Sequence, residues 1–241
     1  RLLSEATDDT TVGELRARCS ERQAETVEDQ PEDASAVDLR LEQDRANVLQ
    51  PFTLMAHRPN YIMPGAYNAK GYDASLYQSS DPGIEFDDTE AQFQVSLKIP
   101  LWVEVADTFD IYAAYTNRSF WQLYNADFSR PFRETNHEPE VWVQFHNRWN
   151  VLGLTNVLNS VGIVHQSNGQ SGVLSRGWDR VYANFMFERA GFALSIKPWW
   201  AFSIDDSDAD NPDIEDYMGY GEIRAAWARD ETLSFPRMML T

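Results

Sequence analysis

The chain has 241 residues and a mass of 27.7 kDa, with 20 Lys+Arg against 38 Asp+Glu and a formal net charge of −18. That balance argues against nucleic acid as a partner, since neutralising phosphates needs a basic face. At 43% hydrophobic the chain is too apolar for wholesale disorder, yet no run approaches the roughly eighteen apolar residues of a membrane helix, which leaves a membrane β-barrel open.

Residue 1 is an arginine with no basic-then-apolar leader behind it, so a fragment or a processed chain is expected. Residues 1–50 hold thirteen acidic and six basic residues and no aromatics. This reads as a solvated, partly disordered or helical acidic segment. Cys19, the single cysteine, excludes a disulfide framework and a cysteine-rich zinc site. From Phe52 onward all eight Trp, ten Tyr and thirteen Phe appear, with period two. A second unit, 51–241, is therefore expected to be all-β.

The clearest strand carries Phe93, Val95, Leu97, Ile99, Leu101, Val103 and Val105 on one parity, with Gln92, Gln94, Ser96, Lys98, Trp102 and Glu104 on the other. The same alternation predicts strands over 109–116, 141–148, 180–188 and 192–197. Membrane strands need about nine to eleven residues, where sandwich strands have about five or six. These are of the longer kind, and their polar parity resembles a lumen lining. Trp121, Trp149, Trp178, Trp199 and Trp200 near strand ends suit interfacial girdles. A soluble β-sandwich binding module uses amphipathic strands too and stays open on pattern alone.

In the next strand His165 and Ser167 share the apolar parity of Val161 and Ile163, so both project from the greasy face. The glycines and serines from Asn168 to Gly177 mark a turn. A hairpin symmetric about Gly172 sets Asp179 opposite His165, on the same face. A hydroxyl, an imidazole and a carboxylate on one patch can serve as nucleophile, general base and orienting group. The plain alternative is polar residues resting at the headgroup interface. The acidic run 205–210 lacks the glycine and distal glutamate of an EF-hand, and His57, His137 and His146 lack metal-ligand spacing. No Gly-x-Ser-x-Gly elbow is present.

His165-Gln166-Ser167-Asn168-Gly169 and Ser175-Arg176-Gly177-Trp178-Asp179-Arg180 resemble the signature of outer-membrane phospholipase A, a calcium-dependent barrel lipase family of Gram-negative bacteria. Pro131 to Asn136 with Glu138-Pro139, Lys197-Pro198-Trp199 and Tyr217 to Tyr220 extend the likeness in colinear order over most of 40–234. The resemblance implies an antiparallel transmembrane β-barrel of about twelve strands, of which this chain would cover about eight, the C-terminal third being absent. The acidic segment would then be periplasmic. It also implies hydrolysis of phospholipid acyl esters, of A1, A2 and lysophospholipase type, in the bacterial outer membrane, with the site toward the outer leaflet.

Ser167 would be the nucleophile and His165 the base, and Asp179 stands where the family usually has asparagine. Gly169 would donate its N–H to the oxyanion. Calcium would be held by Ser175 and Gln170 of one subunit and Ser129 of the other, which makes a homodimer the active form. Gly172 replaces a family aspartate and should weaken a single-subunit calcium site. Asn117, on an apolar parity, matches a polar dimer-interface position. A non-catalytic barrel is the competing reading, under which Ser167 is dispensable.

Overall fold

A computed structural model of the chain describes residues 40, 44, 54–79, 82–105, 108–202, 214–227 and 238–240. Apart from Arg40 and Asp44, the acidic segment 1–50 lies outside the described residues, as does the run 205–210. The strands are β1 (Met55–Ala56), β2 (Tyr61–Tyr67), β3 (Thr89–Val105), β4 (Phe109–Trp121), β5 (Phe132–Val151), β6 (Leu154–Ser167), β7 (Gly177–Arg189), β8 (Phe192–Phe202), β9 (Gly221–Trp227) and β10 (Met238–Leu240). They form one antiparallel sheet in chain order, with β1 and β2 end to end along the same side of β3. Eight strand positions plus the three-residue β10 result, in keeping with the expected eight.

Burial decides between barrel and sandwich. The large apolar side chains Val95, Ile99, Val141, Phe145, Val161, Ile163, Val181 and Phe185 are exposed, while Ser96, Thr116, Glu140, Gln144, Ser160 and Arg180 are buried. A water-soluble sandwich buries the opposite set. An outer face this apolar is stable against lipid, not water. β3 to β8 each run for 11 to 20 residues, long enough to span a bilayer. No helix among the described residues is long and apolar enough to cross a membrane.

The sheet curls around its polar face. β5 and β8 are three strands apart, roughly 14 Å in a flat sheet, yet Lys197 Nζ on β8 donates to Glu140 Oε1 on β5 at 3.0 Å. Glu140 Oε2 also accepts from Arg58 (3.0 Å) and lies 3.0 Å from His57 Nε2. Arg58 reaches on to Glu138 at 2.8 Å, and Arg180 joins Glu138 (3.5 Å) to Gln166 (2.9 Å). Tyr112 and Trp142 stack beside this cluster and, with Tyr182, belong to the larger apolar group of the interior. Gly162 makes room for them: a Cβ there would stand 2.6 Å from the Tyr182 hydroxyl and 2.7 Å from Trp142 Cβ.

The two ends of the sheet differ. β5 and β6 are joined by Leu152–Gly153, and β7 and β8 by Ala190–Gly191, all four residues at positive φ. Such two-residue turns match the strand twist. At the other end the connections are 68–88, 122–131, 168–176 and 203–220. Within the first of these the Tyr77 hydroxyl donates to the Arg133 carbonyl at 3.0 Å, and burial beside the Glu134 carboxylate pushes its phenol up.

Two expectations need correction. Trp102 does not share the lumen parity: Pro100 pairs with Tyr112 but Trp102 with Ile111, so a bulge at Leu101 turns both Leu101 and Trp102 outward. Pro100 has no N–H for the ladder, which suits a break in pairing there. Trp178 is no girdle residue. It is buried on the inner face, edge-on to Trp199, with the Arg180 guanidinium 4.0 Å above its ring; Trp199 packs against the same interior cluster and is no girdle residue either. Trp149 and Trp200 are exposed as a girdle requires.

Candidate active site

The β6–β7 hairpin carries the sequence-derived site. Its pairing sets His165 against Asp179, Gln166 against Trp178 and Ser167 against Gly177, the register obtained by centring the turn on Gly172. His165 Nδ1 and Asp179 Oδ1 are 2.9 Å apart. A carboxylate only accepts, so Nδ1 carries the hydrogen and the Nε2 lone pair of neutral His165 is free to take a proton. The His165 side chain is about half exposed and Asp179 is more covered. Ser167 lies two residues on, on the same outward face. Its hydroxyl forms no hydrogen bond to His165 among the described residues; such contacts often tighten only when substrate binds.

The turn itself is stapled by Asn168, which is buried. Its Oδ1 accepts from the backbone N–H groups of Gln170 (3.2 Å) and Arg176 (3.0 Å), and its Nδ2 donates to the Leu174 carbonyl at 2.8 Å. Gly169, two residues past Ser167, has φ +66, a conformation that glycine adopts at little cost. Behind the hairpin, Gln166 faces inward and is gripped by Arg180, so the strand segment bearing His165 and Ser167 is anchored in the lumen network.

Of the residues implied for calcium, Gln170 and Ser129 are exposed and Ser175 is half-buried. Ser129 lies in the 122–131 loop at φ +58. The Ser175 carbonyl accepts from Arg176 at 2.6 Å. Gly172 is exposed, with open space where a side chain would start. Among the described residues no cluster of three or more His, Cys, Asp or Glu side chains could hold a metal. The donor set is neutral oxygen, suited in kind to calcium but short in number within one chain.

Asn117 does face outward, yet its amide has partners at home. It receives a hydrogen bond from Ser119 Oγ (3.2 Å) and its Nδ2 lies 3.3 Å from His137 Nδ1. His137 was not singled out from the sequence beyond its lack of metal spacing. It pairs with Asn117 on one side and with Ser167 on the other. Carrying the β5–β6 register straight from the Leu152–Gly153 turn would set His137 against Asn168. The two-for-one bulge of Asn147 and Arg148 shifts it by one residue.

Known proteins resemble the chain over most of its length. A family model described as phospholipase A1 matches residues 37–239. Phospholipase A1 of Klebsiella pneumoniae is 34% identical over 210 residues, covering 86% of this chain and 70% of the relative. Among solved structures, outer membrane phospholipase A from Escherichia coli superposes with a TM-score of 0.67 at 33% identity, over 75% of this chain and 73% of that one. The outer membrane phospholipase dimer of Salmonella typhi with bound calcium gives 0.64 at 34% identity, over 77% and 72%. With its outward-apolar sheet and its hairpin site, the chain belongs to the phospholipase A1 family of carboxylic ester hydrolases found among outer membrane β-barrels.

Proposed function

We propose that the chain is a calcium-dependent outer-membrane phospholipase, cleaving acyl esters of phospholipids and lysophospholipids, whose triad is Ser167, His165 and Asp179. The observation that carries this reading is the 2.9 Å bond between His165 Nδ1 and Asp179 on a lipid-facing surface, two residues from Ser167. Polar groups against hydrocarbon are costly, and those that stand there mark a functional site. His165 Nε2 accepts the Ser167 proton as Oγ attacks the ester carbonyl. It then returns that proton to the departing alcohol, and a water repeats the cycle on the acyl-enzyme. Asp179 holds the tautomer and offsets the imidazolium charge. The Gly169 N–H meets the oxyanion.

Ser175 and Gln170 of one subunit and Ser129 of a second copy would hold calcium, which when bound supplies a polarised water at the oxyanion. A ligand set split in this way makes dimerisation the switch, with Asn117 at the contact. The calcium-bound dimer of the Salmonella typhi relative supports this. The site sits at the long-loop end of the strands, which in barrels of this class faces outside, so the substrate is drawn from the outer leaflet. Detergent-refolded protein should release fatty acid from phospholipid, and Ser167→Ala or EDTA should abolish it. Activity surviving Ser167→Ala would overturn the triad, and activity surviving EDTA the calcium requirement.

A further inference from the structure

We propose that His137, on the strand beside the nucleophile, is a second functional imidazole that donates an Nε2–H hydrogen bond to the carbonyl oxygen of the reacting ester. The inference rests on the hydrolase reading above. Four observations place the ring. His137 is the cross-strand partner of Ser167, so the two outward side chains start about 5 Å apart. Its Cδ2 lies 4.0 Å from the position a Cβ would take on Gly169, whose N–H is the oxyanion donor. Its Nδ1 is 2.6 Å from the Tyr115 hydroxyl and 3.3 Å from Asn117 Nδ2. Finally, the Asn117 amide is oriented by Ser119 Oγ, which donates to its oxygen and is itself 3.2 Å from Thr135 Oγ1.

These contacts fix a tautomer. With the Asn117 amide turned so that Ser119 donates to its oxygen, its nitrogen donates and Nδ1 of His137 accepts, which puts the single ring hydrogen of the neutral imidazole on Nε2. In the ring Nε2 is bonded to Cδ2, the atom nearest Gly169. The Cδ2–Nε2 edge therefore lies on the side of the ring away from Tyr115 and Asn117, with its Cδ2 end beside Gly169. His165 is held the other way round, with its hydrogen on Nδ1 toward Asp179. Two imidazoles thus flank Ser167 in opposite tautomers. His165 offers a lone pair and acts as base, while His137 offers a hydrogen and, among the described residues, has no carboxylate partner that would make it a base. The oxygen of a scissile ester gains negative charge during attack, so a donor aimed there strengthens in the transition state.

The test compares hydrolysis of an oxoester and the matching thionoester, whose sulfur accepts hydrogen bonds poorly, by the detergent-refolded protein. Wild type should prefer the oxoester. His137→Phe, which keeps the ring and removes the donor, should shrink that preference by roughly ten- to a hundredfold. His137→Asn, too short to replace Nε2, should do the same. His137→Gln, whose amide nitrogen falls near Nε2, should restore most of the preference. A merely structural role would lower both rates and leave their ratio alone, so an unchanged ratio in folded His137→Phe or His137→Asn overturns the proposal. Ser167→Ala separates the two levels: if wild-type hydrolysis does not depend on Ser167, the hydrolase reading falls and this one with it.

Discussion

Replacing Glu140 by alanine should destabilise the sheet by about 3–5 kcal/mol. The carboxylate is almost wholly buried and sits 3.0 Å from each of three donors: His57, Arg58 and Lys197. Hydrogen bonds to charged groups contribute about 1.5–3 kcal/mol each, a gross loss of roughly 4.5–9 kcal/mol for three. Two relaxations reduce it. Arg58 keeps Glu138 at 2.8 Å, and the cluster lines a cavity of about 450 Å³ from which water can rehydrate Lys197. The check is equilibrium urea unfolding in micelles or liposomes, followed by the fluorescence of the eight tryptophans, with the slope m unchanged. Glu140→Met together with Lys197→Met should lose less than Glu140→Ala alone, because no cation is orphaned. A loss below about 1 kcal/mol for Glu140→Ala, in the range of exposed pairs, would show that the lumen solvates this cluster as a surface does and would refute the reasoning.

Gly162→Ala should cost about 1–3 kcal/mol or more, since Trp142 Cβ at 2.7 Å must retreat by about 0.8 Å to reach ordinary contact; the same unfolding assay reads it. Asn168→Ala removes three hydrogen bonds from the β6–β7 turn and should speed amide exchange at Gln170 and Arg176 while lowering kcat. Asp179→Ala should lower kcat/KM by about 10²–10⁴, and Asp179→Asn by far less, because an amide oxygen turned to His165 Nδ1 accepts the same hydrogen, as the asparagine usual in the family would; steady-state hydrolysis of a short-chain phospholipid distinguishes them.

Much of the site was legible because hairpin register is arithmetic. Once Gly172 was taken as the centre, His165 had to meet Asp179, and strand parity put both outside with Ser167. What stayed hidden depends on irregularities and on curvature. The bulges at Leu101 and at Asn147–Arg148 shift pairing by one residue, and neither leaves a pattern in composition. The place of His137 beside Ser167 hangs on the second of them. Trp178 shares the parity of buried Arg180, but an aromatic near a strand end suggests a girdle before it suggests a lumen. The Glu140 cluster joins strands that are not neighbours, and only the curl of the sheet brings them together.

The stapled turn between Ser167 and Gly177 also limits how such a gene can drift. Substitutions there are judged singly, by what each side chain does. A codon gained or lost between His165 and Asp179 is judged by parity. One extra residue taken up by a slip of β7 would turn Arg180 to lipid and the carboxylate to the lumen, and every side chain beyond it would change sides as well. Only paired insertions keep the faces, and even these move Asp179 off His165. Turn length is thus a constraint on the site separate from the identities of Ser167, His165 and Asp179.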